Sequence, residues 1–159
     1  MKLRLFIMLT AGFVFSAAAW AQNIELQSTV ASYLNSYAIG DRAAVLGALD
    51  PDVRSYGSDV AEVFSGKDAV AKMFDEDMKL WGATAKFGEM HNVSIVSEGA
   101  LETIFFDVPF SVAGRPPVQV RVAMVWRSGA QGWKLVQSSN TVPTVGQSAA
   151  DILKSLSKQ

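Results

Sequence analysis

In the first half of the chain, apolar residues recur at the three- and four-residue spacing of a buried helix face. This spacing predicts one helix over residues 24–39 and a second, shorter helix over residues 42–49. A third helix is predicted to begin with Ser65 as its N-cap and to end at Gly82. Residues 53–57 predict a short edge strand. The first half therefore predicts three helices and little sheet.

The second half of the chain alternates apolar and polar residues, which is the period of a strand with one buried face. Short turns containing glycine or proline separate the segments and indicate an antiparallel meander. Four long strands are predicted, over residues 84–97, 101–112, 118–127 and 133–143. A short helix over residues 148–157 is predicted to follow them.

This order of elements predicts an α+β fold. Three N-terminal helices would pack on a curved, mostly antiparallel sheet and form a cone with a pocket at its open end. The strand over residues 118–127 has one face of Val, Met and Trp and another that carries Arg121 and Arg127. The pattern leaves open which of these two faces lines the cone.

The first 21 residues differ in character from the rest of the chain. Lys2 and Arg4 precede an apolar run of about 15 residues that ends in Ala19-Trp20-Ala21, a pattern typical of a cleaved signal peptide. An uncleaved membrane anchor is the alternative, but the run is short for a bilayer span, so no stable anchor is expected. We predict cleavage near Ala21-Gln22 and a periplasmic or secreted protein. The predicted segments are a signal peptide at 1–21, a cone domain at 22–145 and a tail with a short helix at 146–159.

The composition excludes several classes of protein. The chain has no cysteine, which excludes disulfides, cysteine metal sites and a lipid-modified cysteine. It carries 14 Lys and Arg against 15 Asp and Glu, and loss of Lys2 and Arg4 with the signal peptide makes the remainder more acidic. Without a basic patch, no nucleic-acid partner is expected. The sequence also has no phosphate loop, nucleophile elbow or zinc motif, so no cofactor and no metal are predicted.

Three strings mark the ends of the predicted elements: Tyr33-Leu34-Asn35-Ser36-Tyr37-Ala38-Ile39-Gly40-Asp41, Leu49-Asp50-Pro51-Asp52-Val53, and Val125-Trp126-Arg127 with Gly132-Trp133-Lys134-Leu135-Val136. They resemble the nuclear transport factor 2-like superfamily, and in particular its SnoaL-like branch. The resemblance extends over residues 23–143. It implies the cone fold of ketosteroid isomerases and scytalone dehydratases, and a homodimer that pairs sheet to sheet.

The chain departs from the enzymes that it resembles. In ketosteroid isomerases a tyrosine of the first helix donates to the substrate, and Tyr33 falls at that position. Their catalytic Asp falls on or beside Gly57, and their second acid falls near Val122. Asp59, two residues beyond Gly57, is an alternative base. With both carboxylates replaced, the resemblance does not support steroid isomerisation.

Other polar residues are candidates for a role in the pocket. Alternation places Glu89 and His91 on one face of the strand over residues 84–97, as a possible base and its orienting partner; an exposed or structural His91 is the alternative. The histidines of the SnoaL-like motif V-H-x-H-x-S are replaced by Gln137 and Ser139, which can still bind a ligand by hydrogen bonds. Arg121 is costly inside an apolar strand unless it is paired, is solvated or faces an acidic ligand. Asp107 is its natural partner.

The candidate catalytic residues are therefore Tyr33, Glu89 and His91. The candidate ligand-binding residues are Tyr33, Tyr37, Trp81, His91, Arg121, Gln137 and Ser139; for the two tyrosines and Trp81, simple core packing is the alternative. The predicted function is to hold a small apolar or aromatic molecule in the cone, with non-metal acid–base turnover as an option. The alternative is a non-catalytic interaction module that acts through its sheet face, as a dimer or with another exported protein.

Overall fold

The structure is a computed structural model that describes residues 11–157, and side chains from residue 22 onward except those of Ala83 and Ile152. The predicted n-region of the signal peptide, Lys2 and Arg4, lies outside the described residues. The helices are α1 (Ala11–Ala38), α2 (Arg42–Ala48), α3 (Lys67–Trp81) and α4 (Ala149–Leu156), with a 3₁₀ turn at Gly82–Thr84. The strands are β1 (Leu49–Tyr56), β2 (Val63–Ser65), β3 (Lys86–Phe87), β4 (His91–Glu98), β5 (Leu101–Ser111), β6 (Val118–Arg127) and β7 (Lys134–Thr141).

The strands form one sheet in the order β2-β1-β7-β6-β5-β3, and β4 also pairs with β5. The consecutive pairs from β4 to β7 are antiparallel, as the short turns predicted. β1 is longer than predicted and is not an edge strand, because it lies between β2 and β7 and runs parallel to β7. The predicted α+β cone of helices on a curved sheet is confirmed.

The single long strand predicted over residues 84–97 is wrong, because the chain is interrupted between β3 and β4. Gly88 lies against the ring of Pro109 on β5 and donates its backbone N–H to the Pro109 carbonyl at 2.8 Å. Proline has no N–H to return that bond, so the ladder cannot continue there. A second irregularity follows at Asn92, whose φ is 53°. Because of these two breaks, the face on which a β4 side chain lies cannot be inferred by counting alternate residues from Phe87.

The core lies between the helices and one face of the sheet, here called the inner face, which carries Val122, Met124 and Trp126 of β6. Trp126 is fully buried, and Phe74 of α3 is 1% exposed. Burial of each such large apolar side chain contributes about 1.5–3 kcal/mol, so this layer fixes how the helices sit on the sheet. The opposite face of the sheet, which carries Phe105 and Val125, is called the outer face.

The helix ends agree only in part with the sequence. Ser65 does not cap α3, since it belongs to β2 and pairs with Arg54, and Gly66 takes the cap position instead. Ser148 caps α4 in a capping box with Asp151. The α4 side chains of Leu153 and Leu156 are exposed. Among the described helices, none combines the length and hydropathy needed to cross a bilayer.

Candidate functional site

A cavity of about 270 Å³ opens between α1, α3 and the inner face of the sheet. Its apolar floor comes from β6, where Val118, Val120, Val122 and Met124 alternate inward. This settles which face of β6 lines the cone: the Val, Met and Trp face is inside, and Arg121 is outside. The floor has no polar side chain, so it suits the apolar body of a ligand.

Aromatic rings form a continuous second wall of the cavity. Tyr33 and Tyr37 of α1 have ring centroids 6.2 Å apart, and Tyr37 lies 6.2 Å from Trp81 at the end of α3. Trp81 contacts Phe110 at 4.9 Å, and Phe110 contacts Phe87 at 5.1 Å. The structure thus brings together three of the residues predicted to bind a ligand, Tyr33, Tyr37 and Trp81, in one wall.

Tyr33 and Tyr37 lie one helical turn apart and are each 8% exposed, but their hydroxyls have different surroundings. The Tyr37 hydroxyl donates a hydrogen bond to Oδ2 of Asp77 on α3. The Tyr33 hydroxyl has no hydrogen-bond partner in the described part of the chain. Burial raises the pKa of both phenols, and the Asp77 carboxylate raises that of Tyr37 further. Both phenols therefore stay protonated at neutral pH; Tyr33 has its O–H free to donate to a ligand, whereas Tyr37 already donates its O–H to Asp77.

Asp77 is the first carboxyl group of the cavity, and the sequence analysis missed it. Burial raises the pKa of Asp77, the Tyr37 hydrogen bond opposes this effect, and the nearby Glu62 carboxylate adds to it. The signal was present in the sequence, since Phe74, Asp77 and Trp81 follow each other at helical spacing on one face of α3. A carboxylate inside an apolar stripe indicates a buried polar site.

Glu62 is the second carboxyl group of the cavity, and it reaches the site from the turn between β1 and β2. A Cβ atom placed on Gly57 would collide with Oε2 of Glu62 and lie 2.6 Å from its Cβ. The Glu62 side chain therefore occupies the space of a side chain at position 57. Oε2 also accepts a hydrogen bond from the backbone N–H of Asp59 at 3.0 Å, which holds the carboxylate in place. Glu62 therefore places a carboxylate close to position 57, where this chain has glycine.

The polar end of the cavity is completed by β1 and β7. Ser138 donates a hydrogen bond to Oγ of Ser55 at 2.9 Å. Ser138 and Asn140 pair with the floor residues of β6, so they are the inward positions of β7. A β-bulge between Leu135 and Gln137 shifts the alternation by one residue. For this reason Gln137 is exposed and does not line the cavity, while Ser139 borders it from a position that alternates outward.

The remaining predicted site residues lie outside the cavity. Glu89 and His91 are exposed and line no part of it, because of the breaks around β3 and β4. His91 instead pairs in register with Asp107, on the outer face. The predicted pairing of Arg121 with Asp107 is confirmed, with Nε 2.8 Å from Oδ1. The hydrogen bonds from Arg121 and Asn92 lower the pKa of Asp107.

The described residues contain no group of three or more His, Asp or Glu side chains able to hold a metal ion. The polar groups that line the cavity are two carboxyl groups, two phenols, serine hydroxyls and one amide. These groups can bind a ligand by hydrogen bonds and can exchange protons with it.

The chain belongs to the SnoaL-like domain family, whose model matches residues 26–144. It is similar in structure to an NTF2-like protein of unknown function from Pseudomonas putida KT2440, with 14% identity, a TM-score of 0.70 and coverage of 80% of this chain and 90% of that one. An NTF2-like protein with a cystatin-like fold from Novosphingobium aromaticivorans is 18% identical, with a TM-score of 0.67 and coverage of 92% and 97%. A candidate dehydratase of the NTF2-like family from Streptomyces avermitilis is 15% identical, with a TM-score of 0.69 and coverage of 79% and 98%.

No curated protein matches the sequence. At these identities the solved structures show the fold, and the chemistry of the cavity has to be argued from this chain's own residues.

Proposed function

We propose that this protein is exported and binds a small, mostly apolar molecule in the cavity between α1, α3 and β6. The observation that carries the proposal is a cavity of about 270 Å³ with an apolar floor, an aromatic wall and polar groups at one end. Concave apolar sites with a few convergent polar groups are typical of small-molecule binding. The Tyr33 hydroxyl supports it, because Tyr33 lines the cavity and its hydroxyl has no hydrogen-bond partner among the described residues, so it is available to a ligand.

If the ligand is also turned over, Asp77 and Glu62 are the groups in place to exchange protons with it. Asp77 is fixed by Tyr37, and Glu62 is fixed by the backbone of Asp59. Both carboxyl groups line the same mostly apolar cavity, where either can exchange a proton with a bound ligand. The proposed turnover needs no metal.

The proposal is tested by identifying what the purified protein carries. The protein is purified under native conditions from an exporting host and denatured, and the released small molecules are measured by mass spectrometry. A Val120→Trp variant fills the cavity, and Val125→Trp on the other face of the same strand is its control. We expect a stoichiometric compound in the parent and in Val125→Trp, and its loss in Val120→Trp. Equal amounts of every compound in both variants would contradict the proposal.

Export is tested separately, by N-terminal sequencing of the protein recovered outside the cytoplasm. The proposed cleavage predicts a chain that begins at Gln22. A recovered chain that still begins at Met1 would contradict this part of the proposal.

A second candidate function is an interaction module, and the outer face of the sheet favours it. Val96 is 60% exposed, Phe105 is 46% exposed and Leu101 is 40% exposed on neighbouring strands. Each of the three lies opposite a polar residue of the neighbouring strand, Thr103, Ser94 or Glu98, so the face offers separate exposed apolar side chains for protein association. On this hypothesis the protein is a homodimer in sedimentation equilibrium and Phe105→Lys dissociates it. A monomeric parent protein would remove the dimer hypothesis.

A further inference from the structure

The cavity wall carries an unbalanced negative charge. Two carboxyl groups, Asp77 and Glu62, line it, whereas no Lys, Arg or His is among the lining residues. The four ion pairs of the described chain all lie elsewhere, and the carboxylates that they use are Asp50, Asp75, Glu76 and Asp107. Neither cavity carboxyl group is neutralised by the protein itself, so a ligand that brings a positive charge would complete the site.

The aromatic wall lies beside these carboxyl groups and favours the same kind of ligand. Tyr37 contacts both Asp77 through its hydroxyl and Trp81 through its ring. A cation that approaches Asp77 from the cavity therefore comes close to the aromatic side chains of Tyr37 and Trp81, which line the same wall. The negative electrostatic potential over aromatic faces attracts cations, and tryptophan does so best. An anion would be repelled by the carboxylates, and a neutral hydrocarbon would leave them uncompensated.

Tyr33 adds an independent observation that a polar ligand group belongs in the cavity. Tyr33 is 8% exposed, it lines the cavity, and its hydroxyl has no partner among the described residues. A hydroxyl oxygen accepts hydrogen bonds, so it can receive an N–H or O–H of the ligand. The cavity wall thus presents hydrogen-bond acceptors and aromatic rings to the same ligand group.

We propose that the ligand of this cavity is a small organic cation, with an amine or quaternary ammonium group attached to an apolar body. The ammonium group contacts Asp77, Glu62 and the aromatic wall, and the apolar body lies on the floor of β6. This inference rests on the proposed function, that the cavity binds a small molecule, and names the class of that molecule.

Binding of a cation is coupled to the ionisation of Asp77. The groups that act on Asp77 are Tyr37 from α1 and Glu62 from the β1–β2 turn, and none of the residues that line the cavity is cationic. The cation pairs with the ionised form of Asp77. Because burial raises the pKa of Asp77, affinity for a cation is expected to rise with pH through its titration, with proton release on binding. A neutral ligand gains nothing from this ionisation.

The test compares two probes of the same shape. Benzyltrimethylammonium carries a positive nitrogen, and neopentylbenzene, with carbon in its place, is neutral. Binding to the full protein is measured by isothermal titration calorimetry and by ligand-observed NMR. We expect the cation to bind about tenfold or more tightly than its neutral analogue at pH 7.5. We also expect this ratio to fall as the pH is lowered.

Variants assign the preference to the cavity carboxyl groups. Asp77→Asn and Glu62→Gln are each expected to lower the ratio of the affinity for the cation to the affinity for its neutral analogue. If one variant fails to fold, the other still provides the test. Asp75→Asn removes the same charge from an exposed position of α3 and leaves the ratio unchanged. Equal binding of the two probes would overturn the cation inference and leave the proposed function standing. Failure of both probes to bind at millimolar concentration would count against both.

Discussion

The two tyrosines of α1 provide a matched pair of substitutions that isolates one hydrogen bond. Tyr37→Phe removes the hydroxyl that donates to Asp77, whereas Tyr33→Phe removes a hydroxyl with no partner. Both residues are 8% exposed and lie one turn apart, so the change in packing is the same. Only the Tyr37 substitution leaves a half-buried carboxyl group without a hydrogen-bond donor.

The expected loss follows from that difference. A hydrogen bond to a charged group contributes about 1.5–3 kcal/mol, and partial exposure of Asp77 reduces this to about 1–2 kcal/mol. We expect Tyr37→Phe to lower the melting temperature by about 3–6 °C. Tyr33→Phe is expected to change the free energy of unfolding by less than about 0.5 kcal/mol, because no bond is lost.

The assay is urea unfolding at several pH values, followed by tryptophan fluorescence. The Tyr37 hydrogen bond lowers the pKa of Asp77 and so stabilises the ionised carboxylate. The loss in Tyr37→Phe should therefore be largest above the titration of Asp77 and smaller as the pH falls through it. Equal losses in the two variants, or a loss in Tyr37→Phe that does not change with pH, would show that the Tyr37–Asp77 hydrogen bond does not stabilise the ionised carboxylate.

Two further predictions concern other parts of the site and core. Gly57→Ala is expected to push the Glu62 carboxylate out of the cavity and to weaken ligand binding. Gly47→Ala is the control, because its Cβ would meet nothing within 4 Å, and it should leave binding unchanged. Calorimetry with the bound compound measures the affinity of both variants. Glu102 is fully buried, and burial raises its pKa, so the protein should lose stability as the pH rises from about 4.5. Glu102→Gln should therefore gain stability over the parent as the pH rises, and parallel pH profiles in urea unfolding would contradict this.

Much of the fold could be predicted because it depends on local patterns. The period of β6 and its turn residues set its bounds, and the predicted residues 118–127 match the strand. The strand at residues 84–97 could not be predicted correctly, because its interruption depends on Pro109, which lies opposite it in β5. A pairing partner more than 20 residues away leaves no mark on the local alternation.

Of the four predicted ligand-binding residues that line the cavity, three follow from helical spacing and one, Ser139 of β7, follows from the family resemblance. Tyr33, Tyr37 and Trp81 lie on helices, and each lines the cavity. Glu62 was missed because its position depends on how the β1–β2 turn folds back over Gly57. Asp77 is harder to single out although it lies in the apolar stripe of α3, because it is also the last of three consecutive acidic residues, Asp75, Glu76 and Asp77, a pattern typical of a solvated helix face.

The most direct test of ligand binding in the cavity is a crystal structure of the protein purified natively, without refolding. We expect electron density that is not protein in the cavity, within hydrogen-bond distance of the Tyr33 hydroxyl and in contact with Trp81. We also expect the Asp77 carboxyl group to face that density. A cavity closed by the protein's own side chains, with the Tyr33 hydroxyl bonded to another residue, would contradict ligand binding there.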